Sequence, residues 1–245
     1  MLTGLRGLAE RELPHLRFLT NTGQALPEPL IAALRATFPR AALYSMYGLT
    51  ECKRVSFLPP LELDARPGSV GRAIPGTEAW VDAPTGEVGE LMVRGGHVMQ
   101  GYWNDPKATA ERLRPGRWPW ERVLATGDLF RADADGYLYF VGRRDDLIKS
   151  RGEKVVPREV EDVLHACAGV AEAAVVGVPD ELLGTAVVAH VALRPGVLLA
   201  PDALRRWCAE RLESHMVPVR VVVHGEALPR TPNGKVDRRT LAEAG

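Results

Sequence analysis

Between Gly68 and about Tyr139 the chain is cut by Gly, Pro and Asp turns into short β-type segments, and this punctuation constrains the fold more than any other feature. Turns such as Asp82-Ala83-Pro84-Thr85-Gly86 and Asp133-Ala134-Asp135-Gly136 separate apolar pieces at 79–81, 89–93 and 137–141. Such pieces are too short for helices and are framed by residues that reverse the chain. The expectation is a small barrel or β-rich layer.

The flanking stretches read differently. Leu16–Leu19 reads as a short buried strand closed by Asn21-Thr22-Gly23. Pro29–Phe38 carries Leu30, Ile31, Leu34 and Phe38 at helical spacing behind Pro27 and Pro29, and Ala42–Tyr44 is again strand-like. This β-turn-α-β succession predicts an α/β layer. Beyond the β-rich stretch comes a charged junction, Gly142-Arg143-Arg144-Asp145-Asp146, and then a compact α+β pattern. It comprises a helix from Pro157 to about Ala168 stopped by Gly169, strands at 173–178 and 185–193 around a turn at Pro179-Asp180, a helix over 201–214, and a strand at 220–223. Two domains are expected, residues 1–143 and 144–245, with the boundary at Arg143–Asp146.

The 245 residues, 46% hydrophobic and 25% charged, suffice for a globular core. The 31 basic and 31 acidic residues cancel, which removes a bulk field favouring nucleic acid or an anionic membrane. No apolar run approaches the roughly 20 residues that span a bilayer, and the amino terminus has no signal-peptide pattern. Three scattered cysteines without metal-ligand spacing read as ordinary thiols of a reducing cytoplasm.

Four segments can carry chemistry. Tyr47-Gly48-Leu49-Thr50-Glu51 follows a strand and offers a ring for a base, a hydroxyl for a phosphate and a carboxylate for Mg²⁺; it is equally consistent with a capped turn bearing a core tyrosine. Thr126-Gly127-Asp128, at the end of a β-type run, presents a carboxylate that can accept ribose hydroxyls, or is an ordinary Gly-Asp turn. The stretch from Gly142 to Gly152, with Lys149 and Arg151, is dense in charge and reads as a flexible exposed loop able to meet an anion, or as a solvated turn. The Pro/Gly-rich stretch Pro229 to Arg238 presents Lys235, a charge suited to a phosphate transition state, or forms a disordered tail.

In this order and at these intervals the segments resemble the adenylate-forming superfamily: acyl- and aryl-CoA synthetases, carrier-protein adenylation domains and firefly-type luciferases. Gly101-Tyr102-Trp103-Asn104-Asp105-Pro106 with Thr109 is similar to the acyl-CoA and stand-alone acyl ligase branch. The resemblance runs from about Leu16 to Thr240. It implies an α/β fold with a β-rich layer, in which part of the large AMP-binding domain is followed by a small mobile α+β domain.

The resemblance also implies roles. Gly23-Gln24-Ala25 is similar to the Gly-Gly-Ala turn lining the adenine and acyl pocket, with Gln24 a departure. Ser45, Met46, Tyr47 and Gly48 would line the nucleotide, with Tyr47 stacked on adenine. Thr50 would touch the α-phosphate, Glu51 would help hold Mg²⁺, and Asp128 would bind the ribose beside Arg143. Asp145 matches the hinge about which the small domain rotates. Lys149 and the turn Ser150-Arg151-Gly152 match the thiol-transfer loop. Lys235 matches the lysine that bridges carboxylate and α-phosphate. The implied reaction activates a small carboxylic acid with ATP, then transfers the acyl group from AMP to coenzyme A or a phosphopantetheine thiol on an acyl or peptidyl carrier protein. The superfamily's Gly/Ser/Thr-rich phosphate loop has no counterpart here, so a separate or removed amino-terminal half is expected, and the surface facing it should be apolar. The alternatives are a non-catalytic remnant that binds AMP or a partner, and a luciferase-like oxidoreductase.

Overall fold

The computed structural model describes residues 13–23, 26, 28–232 and 234–244. Gln24 and Ala25 of the expected adenine turn lie outside the described residues. The fold is a mixed α/β one with several sheets and few helices, divided into two compact units, residues 1–140 and 141–245.

In the amino-terminal unit β1 (Phe18–Asn21) runs parallel to β2 (Ala42–Tyr47) and is joined to it by α1 (Glu28–Thr37). β3 (Ser56–Leu58) and β4 (Arg72–Ala73) continue the sheet antiparallel. Ile31 and Leu34 of α1, followed by Phe38, pack against Leu43, Leu58 and Leu63, which is the one-faced burial that the helical spacing requires. The strand expected at Leu16–Leu19 forms, as β1, but it is not buried: it lies at the edge of the sheet among the described residues, and Phe18, like Leu13 before it, is exposed.

The Gly- and Pro-punctuated stretch forms a second, antiparallel sheet. It comprises β5 (Thr77–Val81), β6 (Val88–Gly95), β7 (Leu113–Pro115), β8 (Arg122–Ala132) and β9 (Leu138–Arg143), with β8 paired to β6, β7 and β9. Two features depart from the sequence expectation. α2 (Pro106–Arg112) interrupts the strands, started by the Asp105 carboxylate, which accepts the Ala108 N–H at 2.9 Å, and by Pro106 in the first turn. Thr126-Gly127-Asp128 does not end a β run but lies inside the 11-residue β8. The register passes from Glu90↔Leu129 to Met92↔Ala125, so three residues of β8 oppose one of β6. The Gly-Asp signal marks a β-bulge, not a chain reversal.

In the carboxyl-terminal unit β12 (Val170–Asp180) and β13 (Gly184–Leu193) are antiparallel, and β14 (Arg220–His224) is parallel to β13. On one face α3 (Pro157–His165), α4 (Pro201–Ala209) and the hairpin β10 (Ile148–Ser150)–β11 (Glu153–Val155) cover Ala173, Val175, Val187 and Ala189. On the other face α5 (Arg238–Glu243) and Leu228 cover Ala174, Val176 and Val188. The alternation follows from the two-residue period of a strand.

Three expectations are corrected here. Both helices stop before the expected 168 and 214, at His165 and Ala209. Tighter bonds, Cys167 N–H to Leu164 O and Arg211 N–H to Cys208 O, close their last turns. Pro179 and Asp180 belong to β12, an edge strand where a missing N–H costs no ladder bond. The turn follows instead, made by the Asp180 carboxylate, which accepts Leu182 and Leu183 N–H at 2.9 and 2.8 Å. The charged stretch after Gly142 is not an irregular loop but a 3₁₀ turn, Arg144–Asp146, leading into β10.

His190 on β13 is fully buried, and its Nδ1 lies 2.9 Å from Nε2 of His224. Burial, with His224 and Arg220 nearby, pulls its pKa from the ordinary 6.5 down to about 4. A depressed histidine contributes stability that is fully present above the ordinary value and is lost as pH falls from 6.5 to about 4. Urea unfolding across that window should therefore lose midpoint more steeply in the wild-type chain than in His190→Gln, and equal slopes would contradict this origin.

Candidate active site

The amino-terminal part of the site is built where β2 ends. Gly48 lets the chain fold back on itself: an added Cβ would lie 2.0 Å from the Lys53 carbonyl oxygen, so no larger residue fits without moving backbone. The turn is closed by Lys53 N–H to Leu49 O at 2.6 Å. It leaves Thr50 exposed and Glu51 half-buried.

Tyr47 is buried against Phe130, ring centroids 4.8 Å apart in an edge-on arrangement. Its hydroxyl donates to Asp128 Oδ2 at 2.6 Å. Burial, then Asp128, pushes the tyrosine's ionisation far above its ordinary range, so it remains a donor. The bulge in β8 sets this contact. Gly127, at φ +74°, turns the strand, and its N–H donates to Glu90 Oε1 at 2.8 Å. Thr126 Oγ1 donates to Leu91 O at 2.8 Å and accepts Asp128 N–H at 3.1 Å. The bulge's backbone is thereby satisfied while the Asp128 side chain is aimed at β2. Ser45, also buried, donates to Ser69 O at 3.2 Å, and Met46 pairs with Phe57 across the β2–β3 ladder.

One group escaped the sequence reading as a site residue. Tyr102 donates its hydroxyl to Glu51 Oε1 at 2.5 Å, and burial followed by that carboxylate raises its pKa to about 12. Thr109 Oγ1 accepts the Tyr102 N–H at 2.9 Å and donates to Asp105 O at 2.7 Å, so the start of α2 fixes the tyrosine. The signal was present in Gly101 to Thr109, read there only as a branch signature. Tyr47, Glu51, Tyr102 and Asp128 thus belong to one unit.

Arg143, Asp145, Lys149, Arg151, Gly152 and Lys235 belong to the other. Arg151 and Gly152, at φ +55° and +84°, form the exposed tip of the β10–β11 hairpin, whose Ile148 and Val155 pack on the α3/α4 face of the sheet. Lys235 is exposed on a hydrogen-bonded turn whose Leu228 and Val236 pack on the opposite face. Asp145 and Lys149 border a cleft of about 450 Å³ together with Arg238.

Among the described residues no cluster of three or more His, Cys, Asp or Glu is arranged to hold a metal ion. A single half-buried carboxylate with one oxygen free of the Tyr102 bond fits Mg²⁺, a hard ion that is held by one or two carboxylates plus substrate phosphates. No helix among the described residues is long and apolar enough to cross a membrane.

The chain is similar to known proteins along most of its length. Residues 1–103 match the family described as AMP-binding enzyme, and residues 159–235 match the AMP-binding enzyme C-terminal domain. A 3-[(3aS,4S,7aS)-7a-methyl-1,5-dioxo-octahydro-1H-inden-4-yl]propanoyl:CoA ligase of Rhodococcus jostii is 39% identical over 95% of this chain and 43% of its own length. A long-chain-fatty-acid–CoA ligase of Yersinia pestis is 37% identical over 96% of this chain and 42% of its own. The o-succinylbenzoate CoA synthetase of Bacillus subtilis, solved with its acyl-adenylate intermediate, is 32% identical and superposes with a TM-score of 0.79 over 94% of this chain and 47% of its own. An amide bond synthetase of Marinactinospora thermotolerans reaches 0.85 at 34% identity, over 99% of this chain and 50% of its own. The chain spans about half the length of the relatives it matches, and with both family signatures in order along one chain it belongs to the AMP-binding, adenylate-forming enzymes.

Proposed function

We propose that this chain supplies the carboxyl-terminal portion of an AMP-forming acid–thiol ligase. The observation that carries this reading is the 2.6 Å bond from Tyr47 to Asp128, which joins two nucleotide-type motifs 81 residues apart. The relatives' names support acid–CoA chemistry, and the solved acyl-adenylate complex supports the intermediate.

In this reading Asp128 accepts the ribose hydroxyls, and Arg143 is a further nucleotide-binding residue. Ser45, Met46, Tyr47 and Gly48, with Gly23, Gln24 and Ala25, contribute to the nucleotide pocket, and Tyr47 keeps Asp128 in place. Thr50 contacts the α-phosphate. Glu51, steadied by Tyr102, holds Mg²⁺, which when bound neutralises phosphate charge. Lys235 meets the charge that grows as the carboxylate attacks the α-phosphorus and pyrophosphate leaves. For the second step Asp145 is the pivot, and the hairpin of Lys149, Ser150, Arg151 and Gly152 admits the thiol of coenzyme A or a carrier-bound phosphopantetheine. An amino-terminal half completes the phosphate site. The free cysteines suit a reducing cytoplasm.

Purified alone, the chain should show no acid-dependent ATP–pyrophosphate exchange, and an amino-terminal half supplied in trans should restore it. Exchange by the chain alone would contradict the division of the site, and a silent mixture that still binds AMP by calorimetry would favour a non-catalytic binding role.

In the reconstituted enzyme Lys235→Ala should lower adenylation on the order of a hundredfold or more while leaving thioester formation from supplied acyl-adenylate nearly intact. Gly152→Leu should do the reverse by obstructing the thiol. Equal losses in both half-reactions for either variant would remove the assigned roles.

A further inference from the structure

The lysine that the proposed reaction depends on sits on an exposed turn, yet that turn is fastened at both ends to the sheet beneath it. Thr231 N–H donates to Lys235 O and Gly234 N–H to Thr231 O, each at 2.8 Å. Asp237 N–H donates to Pro229 O at 2.8 Å, and Arg230 and Val236 face each other as an isolated β-bridge. These bonds give the turn a shape. They do not by themselves fix it to the rest of the unit.

Two glutamates do that. Upstream, the Glu172 carboxylate accepts Arg230 Nη2 at 2.5 Å on one oxygen and Leu228 N–H at 3.1 Å on the other. The same guanidinium donates through Nη1 to Gly234 O at 3.0 Å, next to Lys235. Arg230 therefore spans the turn from the inside and ties its tip to β12. Glu172 is available because the β12–β13 register slips between Val170 and Glu172, a bulge at the strand's first residues. It lies on the same face as Ala174 and Val176, the face on which Leu228 and Val236 pack.

Downstream, Glu161 of α3 is 8% exposed. Its carboxylate accepts Arg238 Nη1 at 2.6 Å, Arg238 Nη2 at 3.1 Å and Val175 N–H at 2.7 Å. Arg238 also donates to Val175 O at 2.8 Å. The Asp237 carboxylate accepts Thr240 N–H at 3.2 Å and starts α5. The segment from Leu228 to Arg238 is thus held by charge-assisted bonds on each side of Lys235, the strongest class available to side chains.

We infer that Glu172 and Arg230 are positioning residues for Lys235: their ion pair sets where the lysine's turn stands on its sheet, and with it the geometry of adenylation. This inference rests on the assignment of Lys235 to adenylation. The pair is partly exposed, with side chains 28% and 43% accessible, so its contribution to global stability is small. Its value lies in alignment, since misplacing a catalytic group by about 1 Å can cost on the order of a hundredfold in rate. Glu161 is buried and shares its carboxylate between Arg238 and the Val175 N–H, so removing Arg238 would leave a buried carboxylate short of its counter-charge.

The test uses Glu172→Gln and Arg230→Met, with Arg230→Lys as the conservative variant that keeps the charge on Glu172 but loses the fork. Hydrogen exchange of the Gly234 and Asp237 amides is read on the 245-residue chain, and the two half-reactions on the enzyme reconstituted with an amino-terminal half. Both disruptive variants should accelerate exchange at those amides and lower the adenylation kcat on the order of ten- to a hundredfold. The KM for ATP and the thioester half-reaction should stay as in the wild type, with Arg230→Lys in between. Faster exchange with unchanged adenylation, or equal loss in both half-reactions, overturns the positioning role. Failure of Lys235→Ala to impair adenylation would instead overturn the assignment of the lysine, and the exchange data would still report whether the clasp holds the turn.

Discussion

The hydrogen bond from Tyr47 to Asp128 is the constraint on which the amino-terminal site depends. Both residues are buried, and a buried carboxylate without a strong donor is costly enough to distort or unfold its surroundings. The phenol satisfies it and, because burial and the carboxylate together push its ionisation far above the ordinary range, remains a donor. The bond also joins the two sheets of this unit, since Tyr47 ends β2 of the first and Asp128 lies in β8 of the second. Phe130, two residues beyond Asp128, packs on the same ring and adds an apolar lock to the polar one.

The organisation was largely legible where one period dominated. Pro29–Phe38 buries Ile31 and Leu34 as its spacing requires, and Thr185–Leu193 lies within β13. What misled was local chemistry serving two ends. Gly-Asp reads as a reversal, yet in β8 the ladder to β6 continues on either side and tertiary pairing absorbs the extra residues as a bulge. Pro179 reads as a breaker, yet an edge strand has no use for its N–H. Asp105 and Pro106 together are a helix-start pair, and their presence in a family-like motif drew attention from the short helix they begin. Tyr102 could not be placed from sequence because its partner Glu51 is 51 residues away and only the fold brings them together.

The acidic groups of both units share one device. Glu51 has one oxygen occupied by Tyr102, Asp128 takes Tyr47 on one oxygen, and Glu172 divides its two oxygens between a guanidinium and a backbone N–H. A carboxylate on a flexible side chain must lose rotamer freedom before it can bind anything. When a neighbouring donor has already fixed it, that entropy is spent in folding and not at the moment of binding or reaction. The donors here are tyrosines, an arginine and main-chain amides, none of which loses its proton near neutrality.

The carboxyl-terminal unit poses a geometric problem that its own sheet answers. Ile148 and Val155 root the Arg151–Gly152 hairpin on the face covered by α3 and α4, whereas Leu228 and Val236 root the Lys235 turn on the face covered by α5. A three-stranded sheet with helices on each side is packed to nearly crystalline density and does not bend to bring both loops to one point. The hairpin and the Lys235 turn are therefore held on opposite faces of one packed layer, and neither shifts without repacking the sheet beneath it.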